Sequence, residues 1–322
     1  MNPRYPIYIP SKGRADSSIT SRALDRMGVP HKVVVEEADA DEYAYHIGRD
    51  KLLVLPFSNL GQGSIPARNW IWEHAKEHGH ARHWCIDDNI DGFCRLNWNR
   101  KIRVSSGTIF RCAEDFTDRY ENVALSGLQS RFFVPEREPN LTPFRLNTRI
   151  YSIILINTEL PHRWRGRYNE DTDLSIRVLK DGWVTILFIA FLADKRGTLT
   201  MKGGNTDNVY NTGDHRRAFA ESLREQHPEL VDVVWRYDRW HHQVDYSPFK
   251  HNELRYKPGV VPTGGENEYG MILRKRKAET EADVEEVVAE TTVELPQEEV
   301  IWVGTNGSEP AGPQLSLLEE VA

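Results

Sequence analysis

Apolar residues recur along the first ninety positions in two alternating rhythms. Tyr5–Ser11 (YPIYIPS) reads as a buried strand, and Lys12-Gly13-Arg14-Ala15 as the loop after it. Ile19, Ala23, Leu24 and Met27 then fall at helical spacing, with Asp16 or Ser17 as the cap and Gly28 as the stop. The same alternation repeats. His31–Glu37 is a β-branched strand, and a short helix runs from Asp39 to about Ile47. Lys51–Pro56 is a third strand. A Gly-rich loop (Asn59–Ser64) follows it and leads to a helix over Pro66–His78, with proline in the favoured first turn. Arg82-His83-Trp84-Cys85-Ile86 forms a fourth strand that stops abruptly at Asp87-Asp88-Asn89-Ile90-Asp91. Strand and helix alternating at this spacing predict an α/β fold with a mainly parallel sheet flanked by helices.

The rhythm then loosens. Strands are predicted within Phe93–Val104 and over Asn122–Gln129, Arg149–Asn157 and Trp183–Phe191. Helices are predicted over Thr108–Tyr120, Asn169–Leu179 and Ala218–Gln226. The Gly/Asn-rich stretch 197–213 reads as a mobile loop or lid. Two stretches mix aromatic and basic residues. One is Arg163, Trp164, Arg165, Arg167 and Tyr168; the other spans Trp235–Lys257 and includes Arg236, Tyr237, Arg239 and Trp240. Such mixtures suit phosphate contacts and base stacking, and equally a core or a protein interface.

Charge divides the chain. The net charge of −7 conceals a segment from Ala278 to the end with twelve acidic and no basic residues. The other 277 residues hold 41 basic and 36 acidic groups (48 less 12), a net of +5. Residues 259–322 therefore read as a disordered acidic tail behind a mildly basic body. The body admits a nucleic-acid partner without requiring one. Near the end of the tail, Gln314-Leu315-Ser316-Leu317-Leu318 resembles the short peptide by which bacterial DNA-handling proteins bind the sliding clamp. Three cysteines, none in a CxxC pair, suggest free thiols in a reducing compartment. With no long apolar run and no signal-peptide pattern, the expected partners exclude a membrane and the expected location is the cytoplasm.

The chemistry-bearing residues are acidic. Carboxylates and an amide oxygen at the carboxyl end of a strand suit Mg²⁺ or Mn²⁺ held together with substrate phosphates, although a polar turn has the same composition. Glu170 and Asp171 open a helix, where capping alone could account for them.

Three pieces occur in order: Ile9-Pro10-Ser11-Lys12-Gly13-Arg14, then Ala67-Arg68-Asn69 ahead of the Asp-rich strand end, then Glu170-Asp171 with Leu174, Arg177 and Gly182. Together they resemble the GT-A glycosyltransferases over roughly residues 4–220. Within that fold the chain looks most like the phage TET-associated glycosyltransferases. These accompany 5-methylcytosine hydroxylases, and glycosylation of 5-hydroxymethylcytosine in DNA is attributed to them. The resemblance implies a GT-A domain over residues 1–258, with a donor-binding half (1–92) and an acceptor and catalytic half (93–258). It implies a nucleotide-sugar donor, a UDP-sugar first, and host cytoplasm for a phage-encoded chain. Ser11, Lys12, Arg14, Glu36 or Glu37, and Arg68 would form the nucleotide pocket, Glu37 taking the uracil N–H and Arg68 the diphosphate. Asp87-Asp88-Asn89 resembles the DxD motif, with Asp87 near the ribose and Asp88 or Asn89 at the metal. Asparagine in third place leaves Asp88, Asn89 and Asp91 as alternative principal ligands. His215 would be a late metal ligand. Asp171, beside Glu170, would be the base of an inverting transfer. The rival readings are a GT-A transferase acting on a saccharide or protein, a nucleotidyltransferase, and a non-catalytic DNA- or clamp-binding module.

Overall fold

The computed structural model describes residues 1–97, 99–136, 141–166, 168–196 and 215–260. Arg167, the stretch 197–213 expected as a lid, and the tail from 261 with its 314–318 peptide lie outside the described residues.

The first half follows its sequence pattern closely. It runs β1 (Ile7–Pro10), α1 (Ile19–Arg26), β2 (Lys32–Val35), α2 (Ala40–Ile47), β3 (Leu52–Val54), α3 (Ile65–Glu77) and β4 (Arg82–Ile86). All pairings among these strands are parallel. Both faces are covered, so successive side chains of one strand enter different cores. Ile7, Ile9, Val33, Val35, Trp84 and Ile86 pack with Leu24 of α1 and Tyr43 of α2. The intervening Tyr8 and Val34 pack on Ile71 and Ala75 of α3. One local expectation fails: neither Asp16 nor Ser17 caps α1. Its N-cap is Ser18, in left-handed conformation (φ 35°), and the Asp16 carboxylate instead accepts the Ser17 N–H.

The second half brings β5 (Ile90–Asn97), β6 (Arg100–Arg103), α4 (Thr108–Thr117), β7 (Val123–Ser130), β8 (Phe144–Leu146), β9 (Ile153–Asn157), α5 (Glu170–Lys180), β10 (Val184–Lys195) and α6 (Arg216–Gln226). A two-stranded hairpin of β11 (Val231–Arg236) and β12 (Arg239–Val244) follows, and a 3₁₀ turn at Ser247–His251 comes after it. The main sheet runs β3-β2-β1-β4-β9-β7-β10-β5-β6, with β8 on β10. The antiparallel β9 lies between β4 and β7, so β7 and β10 point the same way as β1 and β4. Gly127 permits the close passage of β7 and β9, because a Cβ there would lie 2.3 Å from the Ile153 carbonyl oxygen. The sheet is thus mixed and largely parallel, flanked by helices, as expected.

Two features of this layout position the site. The carboxyl ends of β1 and β4 lie side by side, bringing Ser11–Arg14 to Asp87–Asn89. The twelve-residue β10 places Lys195 opposite Ile90, next to the same acidic turn.

Candidate active site

The turn after β4 is built rigidly. The Thr20 hydroxyl donates to the Asp87 carbonyl (2.7 Å) and accepts the Ile90 N–H (2.8 Å). The Asp87 N–H donates to the Ser152 carbonyl (2.8 Å), which fastens the turn to β9.

Arg68, in the first turns of α3, is the hub. Its Nη2 donates to Asp87 Oδ1 (2.9 Å) and its Nη1 to Asp171 Oδ1 (2.5 Å), with Glu170 Oε1 at 3.9 Å. The guanidinium is buried and lies 4.7 Å from the ring centre of Trp164. Burial works against its charge, but Asp171 and the neighbouring carboxylates outweigh that and raise its pKa well above the ordinary value. Its Nε is buried and has no hydrogen-bond partner. Three segments far apart in sequence therefore meet on one side chain.

Around that hub two of the carboxylates have a further cation of their own. Asp87 Oδ2 lies 3.1 Å from Lys195 Nζ, which also donates to Ser152 Oγ (2.7 Å). Burial pushes the Asp87 carboxyl up, and Lys195 and Arg68 more than reverse this, leaving it below the usual range. Asp88 accepts Arg14 Nη1 on one oxygen (2.5 Å) and the Ser11 hydroxyl on the other (2.7 Å). Its pKa is nevertheless raised, because burial outweighs Arg14. Glu170 is raised too, first by burial and then by the adjacent Asp171 charge, against the pull of Arg68. The second Asp171 oxygen accepts the Ser152 N–H (3.2 Å).

At the outer rim, Lys12 Nζ donates to Glu36 Oε2 and Asn59 Oδ1, both at 2.7 Å. Of the two acids weighed for the nucleotide pocket, Glu36 is tied to this loop and Glu37 is exposed. Between the Gly-rich loop, the start of α3 and the loop before α5 lies a cavity of about 460 Å³ lined by Gly61, Gln62, Ile65, Asn69 and Trp164–Gly166. That volume is in the range of small-ligand sites.

A divalent ion held by one or two protein oxygens and the substrate's phosphates fits this donor set. Asp88 supplies a carboxylate, and Asn89 Oδ1 is a buried oxygen with no hydrogen-bond partner. Asp91 is instead held in a bidentate pair by Arg196 (2.7 and 3.0 Å). Among the described residues no three His, Cys, Asp or Glu side chains form a metal-binding group. His215 is the N-cap of α6, its ring running along Phe219 at 6.1 Å between centroids.

In the basic-aromatic loop before α5, several side chains take the core role that its composition also allowed. Arg163 pairs with Glu73 and covers Trp72, Trp164 is buried, Arg165 pairs with Asp173, and Tyr168 stacks on Phe219. Asn69 clamps this loop, its amide bonding both the N–H and the carbonyl of Trp164. Of these, Trp164 and Arg165 line the cavity. Lys195 escaped the sequence reading. Its signal was position: a lysine ending a strand that runs parallel to β4 stands where such sheets bind ligands.

With this geometry, comparison with known proteins places the chain among glycosyltransferases. The model of the family described as TET-Associated Glycosyltransferase matches residues 5–204, more than half of the chain, and the chain belongs to that family. No curated protein matches it. A solved structure assigned as a nucleotide-diphospho-sugar transferase, from Desulfovibrio desulfuricans G20, is similar over 70% of this chain and 95% of that one, at 11% identity and a TM-score of 0.37. A likeness so slight carries no argument. Among the described residues no helix is long and apolar enough to cross a membrane.

Proposed function

We propose that the protein transfers a sugar from a nucleoside diphosphate, a UDP-sugar first, to the hydroxymethyl oxygen of 5-hydroxymethylcytosine in phage DNA. The observation that best supports this is the meeting of Asp87, Glu170 and Asp171 on the buried Arg68, in a member of a glycosyltransferase family. Residues 1–92 bind the donor and 93–258 the acceptor. Ser11, Lys12, Arg14 and Asp87 surround the nucleoside, with the exposed Glu37 accepting the uracil N–H.

Charge supports the same reading. Three cations, Arg14, Arg68 and Lys195, face four carboxylates, Asp87, Asp88, Glu170 and Asp171. A diphosphate entering this cluster brings more negative charge than the side chains balance. When bound, Mn²⁺ or Mg²⁺ would supply the missing charge and Lewis-acid stabilisation for a leaving diphosphate. Asp88 and Asn89 Oδ1 would hold it, with His215 as a later ligand.

The transfer is a single displacement. The hydroxymethyl oxygen attacks the anomeric carbon while that carbon's bond to the phosphate oxygen breaks. The bonding pair leaves with the nucleoside diphosphate, and the hydroxyl proton passes to Asp171. One displacement inverts the anomeric centre. Arg68 keeps Asp171 in place, and its spare Nε–H is a donor for the phosphate. Incubation with Mn²⁺, a panel of UDP-sugars and DNA containing 5-hydroxymethylcytosine, followed by weighing the nucleosides, tests this. One sugar should be added per modified base, and EDTA should abolish the gain until Mn²⁺ is restored. No mass gain and no donor hydrolysis with any sugar would overturn the reading.

A further inference from the structure

We infer that the tip of the β11–β12 hairpin is a nucleic-acid clamp, in which Trp235 and Tyr237 stack on unpaired bases and Arg236 and Arg239 hold the adjoining phosphates. This rests on the reading of DNA as the acceptor and adds to it the surface that grips the strand.

The hairpin's base and tip differ. At the base, Val231 packs with Leu223 of α6 and with Ile176 and Leu179 of α5, and Val244 packs against the same cluster. At the tip, Trp235 is 54% and Tyr237 50% exposed, two large aromatics side by side at the surface. The strands are joined by two residues, Tyr237 and Asp238, both left-handed (φ 52° and 56°). A hairpin turn of this kind favours Asn-Gly, and a bulky tyrosine there is conformationally unfavourable. Next to it, Arg236 and Arg239 face each other directly across the strands, a like-charge pairing that also disfavours the hairpin. Both costs fall at one exposed point, and strain kept at such a point indicates function.

The chemistry selects the partner. Trp235 and Trp240 meet edge to face at 5.3 Å, and Arg217 lies 4.8 Å over Trp240. Exposed π-faces flanked by guanidinium groups match stacked bases with phosphates beside them. The clamp is also tied to the proposed base. Asn169, immediately before Glu170, donates from its amide to the Phe219 carbonyl of α6 (2.8 Å), and Tyr168 stacks on Phe219 at 3.7 Å.

The test uses the full chain and two fluorescent oligonucleotides carrying 5-hydroxymethylcytosine, one single-stranded and one duplex with a mismatch at that base. Trp235→Ala/Tyr237→Ala should weaken binding of both by roughly ten- to hundredfold and leave donor hydrolysis unchanged. Tyr237→Asn/Asp238→Gly suits the turn better, so it should raise Tm while still weakening DNA binding. Wild-type affinity in both folded variants, or a parallel loss of donor hydrolysis, overturns the clamp, as does a wild-type chain that binds neither oligonucleotide. A wild-type chain that binds DNA through the hairpin but modifies none supports the clamp and overturns the acceptor assignment.

Discussion

Two carboxylates two residues apart on the first turn of α5 live in opposite surroundings. Asp171 shares Arg68 with Asp87 and keeps 18% of its side chain accessible. Asp173 is 1% exposed and sealed among Arg165, Arg177 and His227, each within 3.2 Å of its oxygens. Lys180 Nζ lies 3.0 Å from His227 Nδ1, so its ammonium donates there and Nε2–H donates to Asp173. Burial by itself would raise the Asp173 pKa, but the His227 and Arg165 hydrogen bonds and the Arg177 charge bring it down to about 2. One acid is enclosed by cations and a histidine, while the other remains partly open to solvent. On the proposed function, access rather than residue type separates the structural ion cluster from the chemical one.

The largest expected break concerns activity. Asp171→Asn should lower sugar transfer by roughly 10²–10⁴-fold, the range for loss of a general base, while Tm falls less than in Asp173→Asn because the buried Arg68 keeps Asp87 and Glu170. Asp173→Asn should do the reverse. It removes the buried charge on which Arg177, Arg165 and His227 converge, and chemical denaturation should show a loss of about 3 kcal/mol or more, with kcat of the folded protein nearly unchanged. Equal loss of activity in both variants would erase the distinction.

Acid unfolding gives a smaller effect. A folded-state pKa below the unfolded one contributes stability that is present above the unfolded value, near 4, and is lost as pH falls through the folded value of about 2. For Asp173 this amounts to about 2 kcal/mol. Denaturation between pH 5 and pH 2 should therefore steepen in the wild type relative to Asp173→Asn. The smallest effect belongs to Arg165→Ala. Its side chain is half exposed and Arg177 and His227 remain, so the loss should stay below about 1 kcal/mol by the same measurement.

Much of the donor half was legible because its pattern is local. Strands with apolar residues on both faces and helices with one apolar stripe follow one another from β1 to β4, and Arg68, Asp87 and Asp171 were all singled out. What stayed hidden was pairing. Nothing in Ile153–Asn157 says that β9 runs antiparallel between β4 and β7, and nothing in Lys195 alone says that it reaches Asp87. Arg165 and Trp164 resembled an acceptor surface because a basic-aromatic composition is the same whether its charges meet phosphate or an internal carboxylate. Trp235–Lys257 reads only as a basic-aromatic stretch, since arginines and histidines blur the alternation that forms the β11–β12 hairpin.

The central claim is that Asp171, held by Arg68, serves the transfer while Asp173 serves the fold. Wild type, Asp171→Asn and Asp173→Asn should be incubated side by side with the donor panel and 5-hydroxymethylcytosine DNA, at a temperature where all three are folded, and the nucleosides weighed over time. The account predicts a sugar added by wild type and by Asp173→Asn at similar rates, and almost none by Asp171→Asn. Transfer by Asp171→Asn at the wild-type rate would contradict it.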